Sequence, residues 1–244
     1  MSAVPSQDRT IVGTGDPVPR EQLERDVTRL LDALYRGGIG IVPLDVAYAI
    51  VGHSADAIRR IFAAKRRSYE KPSGLLADWR ISEEIHVLPD EKRAMIRTVV
   101  TEDQLPFSVV APFRPDHPLL RTVDPFVLEN STKAGTIDML LNAGQFHDEI
   151  ARQSREAGKP VFGSSANTSL MGSKYRLSEI EDDVQEAADV AFDYGLSKYA
   201  NEHGRSSTII DFRDFSVLRV GVCFDDLTRA FRSRFGVDLR PKTA

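Results

Sequence analysis

Apolar residues along this chain follow two alternating patterns, one of helical spacing and one of short continuous runs. Between residues 20 and 36 they recur every three or four positions and two glycines follow, which predicts an amphipathic helix and its end. Helical patterns also separate several of the apolar runs. The runs of strand length lie at residues 39–43, 74–77, 107–112, 135–141, 160–164, 207–212 and 216–222. This alternation predicts an α/β fold.

Three further helices are predicted between and after the strands. Ser54 is expected to cap the first, whose apolar stripe includes Ile58 and Ile61, and residues 180–187 and 225–235 carry the other two. The chain has 244 residues, 41% of them hydrophobic, which is enough for one compact domain. The expected organisation is a flexible polar leader at residues 1–19, the α/β domain at 20–224, and a C-terminal helix and tail at 225–244.

Charge and cysteine content limit the class of protein. The formal net charge of -4 argues against a surface devoted to wrapping nucleic acid, so any anion site must be local. The single cysteine, Cys223, excludes an internal disulfide framework and predicts a reducing, cytoplasmic setting. The longest apolar run, at residues 37–52, is interrupted by Pro43 and Asp45 and is too short to span a bilayer, so no membrane association is predicted.

A basic segment at residues 59–72 is the most informative local feature. It holds six lysines and arginines against one acid, Glu70, in an otherwise acidic protein, which predicts that an anion binds there. Lys65 lies seven residues after Ile58 and therefore falls on the apolar side of the helix, so its side chain should point inward. The alternative is that Lys65 reaches water from the helix end and that the arginines form a solvated face.

A second candidate is the polar turn at residues 163–169, GSSANTS, which directly follows the strand residues Pro160 to Phe162. Ligands gather outside the carboxyl ends of strands in α/β sheets, and hydroxyl, amide and backbone N–H groups in such a turn can hold phosphate oxygens. An ordinary polar turn rich in Ser and Asn is the alternative. The five histidines show no metal-ligand spacing, and the sequence lacks the hydrolase, P-loop and Rossmann glycine motifs, so no metal site is predicted.

Several short segments, taken in order, resemble the YrdC-like family, whose best-known members are threonylcarbamoyl-adenylate synthases that supply a tRNA-modifying pathway. The Lys65-x-Arg67-x-x-x-Lys71-Pro run followed by Ser165-Ala-Asn167-x-Ser is the most specific part. The segments are IVPLDVAY at 41–48, KRRSYEKP at 65–72, SANTS at 165–169, STIID at 207–211 and VLRVG at 217–221.

The resemblance implies a single α/β domain with a twisted mixed sheet around a concave basic cleft that binds ATP, with Mg²⁺ carried by the nucleotide. Lys65, Arg67, Ser165 and Asn167 form the implied catalytic set. The implied ATP-binding residues are these four with Lys71, Ser108 and Arg219, and the implied acceptor-binding residues are Asp45, Tyr48 and Ser207. The resemblance also implies bicarbonate or carbamoyl phosphate and an amino acid as further substrates, and proteins of tRNA modification as partners.

The sequence departs from the family mainly on the acceptor side. The usual Pro-Thr-Asp-Thr-x-Tyr-Gly-Leu run is PLDVAYAI here, so Leu44 and Val46 replace two threonine hydroxyls and threonine should bind poorly. The arginine of the family's Val-Arg-x-Pro strand is absent, because no arginine lies between Ser131 and Ile150. Leu170 replaces the glycine that follows the Ser-Ala-Asn-x-Ser run.

Three functions remain open at this point. The first is a synthase that forms threonylcarbamoyl-adenylate or a related carbamoyl-adenylate from ATP and releases pyrophosphate. The second is a carbamoyltransferase component that uses carbamoyl phosphate. The third is a catalytically silent nucleotide- or RNA-binding module, although few aromatic residues are interleaved with the basic segment for stacking on RNA bases.

Charge reversal separates an anion site from a solvated face. Lys65→Glu should abolish ATP binding because it places a carboxylate where phosphates are expected. Arg59→Glu should change the affinity little, because Arg59 lies outside the family run. Isothermal titration with MgATP measures both affinities, and equal, small effects would favour the solvated face.

Overall fold

A computed structural model describes residues 8–11, 18–68 and 70–242, and side chains are described from residue 18 onwards. The helices are α1 Arg20–Tyr35, α2 Ala55–Ala64, α3 Trp79–Ile85, α4 Asp90–Thr101, α5 Pro118–Arg121, α6 Pro125–Glu129, α7 Gln145–Glu156, α8 Asp182–Glu186 and α9 Phe224–Phe235, with a 3₁₀ turn at Leu177–Glu179. The strands are β1 Asp8–Ile11, β2 Ile39–Val42, β3 Ala49–Gly52, β4 Gly74–Leu76, β5 Phe107–Pro112, β6 Thr132–Lys133, β7 Thr136–Leu141, β8 Phe162–Ser165, β9 Val190–Asp193, β10 Ile209–Asp211, β11 Ser216–Arg219 and β12 Arg240–Pro241.

The described strands form one mixed sheet, which confirms the predicted single α/β domain. Its order is β1-β9-β2-β3-β8-β4-β7-β5-β10-β11-β12, and β6 pairs with β7. The central strand β8 is antiparallel to both of its neighbours, β3 and β4, whereas β4 and β7 run parallel. Sequence patterns missed β3 and β9, because neither is separated from its surroundings by a clear break in hydropathy.

Two hydrophobic clusters cover opposite faces of the sheet. The larger takes Ile137 and Met139 from β7 and packs against α2, α3, α4 and α9. The smaller takes Leu76 from β4 and packs against α1 and α7 through residues such as Leu30 and Ile150. Because side chains alternate along a strand, residues that do not face the larger cluster face the other side. There α1 and α7 cover only part of the sheet.

The predicted starts and ends of the helices have clear local causes. Ser54 caps α2 as predicted, since its hydroxyl accepts a hydrogen bond of 3.2 Å from the backbone N–H of Ala57. Helix α8 is shorter than the predicted 180–187, because Ile180 is extended and ends the preceding 3₁₀ turn. None of the helices in the described ranges has the length and apolar character needed to cross a bilayer.

The two ends of the chain meet the sheet. Residues 8–11 form β1, which pairs in parallel with β9, while the rest of the predicted leader up to residue 17 lies outside the described residues. Helix α9 buries Leu227 and Phe231 in the larger cluster, where the Phe231 ring lies 5.9 Å from that of Phe212. The segment after α9 returns to the sheet as β12, beside β11.

The packing of α9 predicts a stability difference between its two faces. Phe231→Ala should lower the free energy of unfolding by about 3–5 kcal/mol, because it removes a fully buried ring from an aromatic cluster. Ser233→Ala, on the exposed face of the same helix, should change it by less than about 0.5 kcal/mol. Urea denaturation measures both values, and similar losses in the two variants would contradict this packing.

Candidate functional site

A cavity of about 910 Å³ lies on the face of the sheet that α1 and α7 leave uncovered. Alternate residues of the strands form its floor, including Ser108 on β5 and Asp138 on β7. Its basic lining residues are Lys65, Arg67, Lys71, Lys133, Arg213, Arg219 and Lys242, and its acidic ones are Glu70, Asp138 and Asp211. An acidic protein thus has a cavity with an excess of positive charge, which favours anionic ligands.

The basic segment divides between this cavity and the protein surface. Lys65, Arg67 and Lys71 line the cavity. Arg59 instead pairs with Asp56 and lies over the Phe126 ring, while Arg60 and Arg66 pair with Asp189 and Asp183 at the surface. The two interpretations of the segment therefore each describe half of it.

Lys65 is the most deeply placed cation of the cavity. It follows the last turn of α2 and is only 1% exposed, so its side chain points inward as its phase predicted. Its ammonium donates to the backbone carbonyls of Ser165 and Asn167, and its own carbonyl accepts a 2.9 Å hydrogen bond from the N–H of Ser169. An ammonium has three donors, so two are used and one remains for a ligand. Burial and, to a smaller extent, the positive charge of the nearby Arg67 lower the pKa of Lys65 to about 7.

The Arg67 side chain is anchored by the loop that follows it. Its guanidinium donates to the carbonyls of Lys71 at 3.0 Å and Pro72 at 2.8 Å. Burial lowers its pKa, and the positive charge of Arg219 acts in the same direction. Two cations held close together without a carboxylate in contact form an environment that a bound polyanion stabilises.

The turn after β8 supplies the polar groups around Lys65. Asn167 is buried, and its amide nitrogen donates to the carbonyl of Thr168 at 2.6 Å. Among the described residues, the buried side-chain amide oxygen of Asn167 and the hydroxyls of Ser164 and Ser169 have no hydrogen-bond partner. Ser165 lines the cavity at the end of β8. The turn is therefore more than the polar connection that its composition alone would favour.

Ser108, Ser207 and Arg219 form a connected group on the opposite wall. The Arg219 guanidinium donates to the carbonyl and the hydroxyl of Ser207, each at 3.0 Å, and the hydroxyls of Ser207 and Ser108 lie 3.2 Å apart. Although Arg219 is open to the cavity, the surrounding protein desolvates it and lowers its pKa, and Asp138 acts in the opposite direction. Ser207, predicted on the acceptor side, thus positions a predicted ATP-binding residue.

Two predicted acceptor-binding side chains do not face the cavity. The Tyr48 backbone lines it, but the hydroxyl is buried between the Asp193 carboxylate at 3.0 Å and the Gly195 carbonyl at 2.9 Å. The Asp45 carboxylate lies against Gly144, where a Cβ atom would come within 2.3 Å of its oxygen. Both side chains support the loop between β2 and β3.

Sequence reasoning missed Asp138, Lys133, Arg213 and Lys242 as cavity residues. The alternation of TIDMLL in β7 was the available signal for Asp138, since it places Thr136, Asp138 and Leu140 on one face. No comparable signal existed for Lys242, which depends on the pairing of β12 with β11. Within the described ranges, no group of three or more His, Cys, Asp or Glu residues could hold a metal ion.

Comparisons with known proteins agree with this architecture. A comparison with curated proteins finds no significant match. The solved structure of a hypothetical protein, smu.1377c from Streptococcus mutans, is 16% identical with a TM-score of 0.76, over 98% of this chain and 99% of that one. P. abyssi Sua5 complexed with L-threonine is 17% identical with a TM-score of 0.71, over 96% of this chain and 62% of that one. HypF in a phosphate- and nucleotide-bound form is 14% identical with a TM-score of 0.59, over 79% of this chain and 28% of that one.

The family itself is identified by sequence. The model of the Sua5, YciO and YrdC family, described as telomere recombination, matches residues 32–221. This range contains every residue singled out above from the family resemblance. The chain is therefore a member of the Sua5/YciO/YrdC family.

Proposed function

We propose that this protein is an ATP-dependent enzyme that forms a carbamoyl-type adenylate and releases pyrophosphate. The observation that carries the proposal is the position of Lys65, Arg67 and Arg219 around one cavity, with the turn of Ser165 and Asn167 between them. Each of the three cations is anchored by backbone carbonyls and keeps a donor free for a ligand. Fixed donors of this kind suit a triphosphate, because they need no reorganisation when charge develops on the phosphates.

The proposed reaction needs no protein nucleophile. An amine and bicarbonate give a carbamate with loss of water, and a carbamate oxygen then attacks the α-phosphorus of ATP. The bond from that phosphorus to the bridging oxygen breaks, and pyrophosphate leaves with the electron pair. The protein contributes positioning and cationic stabilisation, and Mg²⁺ enters with the nucleotide. We further propose a cytoplasmic role that supplies tRNA modification.

The second candidate is a component that uses carbamoyl phosphate instead of bicarbonate and an amine. The loss of two hydroxyls at Leu44 and Val46 favours it, because both side chains belong to the smaller hydrophobic cluster and offer a polar acceptor no hydrogen bonds. The nucleotide- and phosphate-bound HypF structure shares this fold. A silent nucleotide-binding module is the remaining alternative, and it predicts binding without turnover.

Turnover assays separate these candidates. With MgATP, the protein should release pyrophosphate only when bicarbonate and an amino acid are added, whereas dependence on carbamoyl phosphate would favour the second candidate. Arg67→Ala should lower kcat/KM by about 100- to 1000-fold, because it removes a donor to the charged transition state. Arg66→Gln is the control at the neighbouring position, since the Arg66 side chain pairs with Asp183 outside the cavity. ATP binding without pyrophosphate release under any of these conditions would contradict both catalytic proposals.

The lowered pKa of Lys65 predicts proton uptake when nucleotide binds. Near pH 8 a lysine with a pKa of about 7 is mostly neutral, and a triphosphate favours its charged form, so binding should take up as much as one proton. Affinity for ATP should therefore fall as the pH rises above 7. Titration calorimetry in buffers of different ionisation enthalpy measures the uptake, and Lys65→Arg should show less because arginine stays charged. Absence of uptake at pH 8 would contradict this role.

A further inference from the structure

Asp138 is a carboxylate on the floor of a cavity otherwise suited to anions. It lies in the middle of β7, beside Gly74 of β4, and both residues line the cavity. Its Oδ1 atom is buried and, within the described ranges, has no hydrogen-bond partner. A site built for phosphates alone gains nothing from a carboxylate there, because the two anions repel each other.

The nearby cations do not neutralise Asp138 by direct contact. The guanidinium groups of Arg219 and Arg67 are close enough to lower its pKa, yet they donate to the oxygens of Ser207, Lys71 and Pro72. Two other acids near the cavity are paired, Asp211 with Arg213 and Glu181 with Lys174, whereas Asp138 forms no ion pair within the described part of the chain. A desolvated carboxylate without such a partner suits a cationic ligand group.

The Gly74 position leaves an approach to this carboxylate. A Cβ atom built at Gly74 would lie 3.6 Å from Asp138 Oδ2, so a side chain there would stand against the carboxylate. With glycine, a small donor group can reach the oxygen from the cavity. Burial raises the pKa of Asp138 to about 6, with Arg219, Ser108 and Arg67 opposing the increase, so the group is still mostly ionised at pH 7.

We propose that Asp138 binds the protonated amino group of the acceptor substrate, a primary amine, at the floor of the cavity. The ammonium must release one proton to solvent before its nitrogen can attack bicarbonate and form the carbamate. The proposal rests on the proposed function, because it assigns one substrate of that reaction to a subsite. The phosphates then contact Lys65, Arg67 and Arg219, and the amine contacts the carboxylate beside them. This division gives each substrate its own charged partner and places the two side by side within a single cavity.

Direct binding tests the assignment without depending on turnover. Wild-type protein is titrated with the twenty amino acids and with the 2-hydroxy acids that correspond to them, which carry a hydroxyl in place of the amine. At least one amino acid should bind about 10- to 100-fold more tightly than its 2-hydroxy counterpart, because a charged hydrogen bond is lost. Asp138→Asn should remove that preference without weakening MgATP binding, because the variant takes only a negative charge away from the cavity.

Two further variants make the result specific to the Asp138 carboxylate. Glu70→Gln makes the same charge change at an exposed position of the cavity lining and should keep the preference for the amine. Gly74→Ala changes no charge and meets only ordinary contacts, yet its methyl group should weaken amine binding by narrowing the approach to Oδ2.

The outcomes separate this assignment from the proposed function. Equal binding of amino and hydroxy acids, failure of every amino acid to bind, or an unchanged preference in Asp138→Asn would overturn the role of Asp138. Titration of the same samples with MgATP judges the nucleotide site separately. Turnover with an amine preference that does not depend on Asp138 would leave the proposed function intact and remove only this inference.

Discussion

The buried ammonium of Lys65 joins the two segments on which the cavity depends. It fixes the end of α2 to the turn after β8, which lies 100 residues further along the chain, through the carbonyls of Ser165 and Asn167. A charge removed from water needs such partners, and here the backbone provides them. The same contacts hold the ammonium at one position, so the geometry of the wall proposed to bind phosphates follows from a requirement of folding. Arg67 and Arg219 are anchored on the same principle, by carbonyls of neighbouring loops.

Much of this wall could be predicted from local sequence. The phase of Lys65 relative to Ile58 gave its inward direction, and the polar turn after β8 was recognisable because a strand precedes it. The division of the basic segment between the cavity and the protein surface was harder to predict from the sequence. Arg67 lies beyond the last turn of α2, where Arg66 has a positive φ of 49°, so helical phase no longer applies.

The proposed acceptor side could not be predicted in the same way, because it depends on which strands become neighbours. The pairing of β4 with β7 brings Gly74 beside Asp138, and no feature of either segment alone indicates it. The Tyr48 hydroxyl points away from the cavity because of another strand pairing. Its hydrogen-bond partner, Asp193, belongs to β9, which the sequence pattern missed. Leu44 and Val46 join the core beneath α1 and α7, so residues that alter the acceptor side also contribute to stability.

The order of the strands also determines how the sheet ends. Among the described strands, the two outer members of this order are β1, with four residues, and β12, with two, whereas the longest strands, β5 and β7, lie well inside. An outer strand exposes unpaired backbone groups that another molecule can extend, and short outer strands expose few of them. The longest strands are thereby shielded from edge-to-edge association. A sheet this wide can in this way stay resistant to aggregation while one of its faces remains open for ligands.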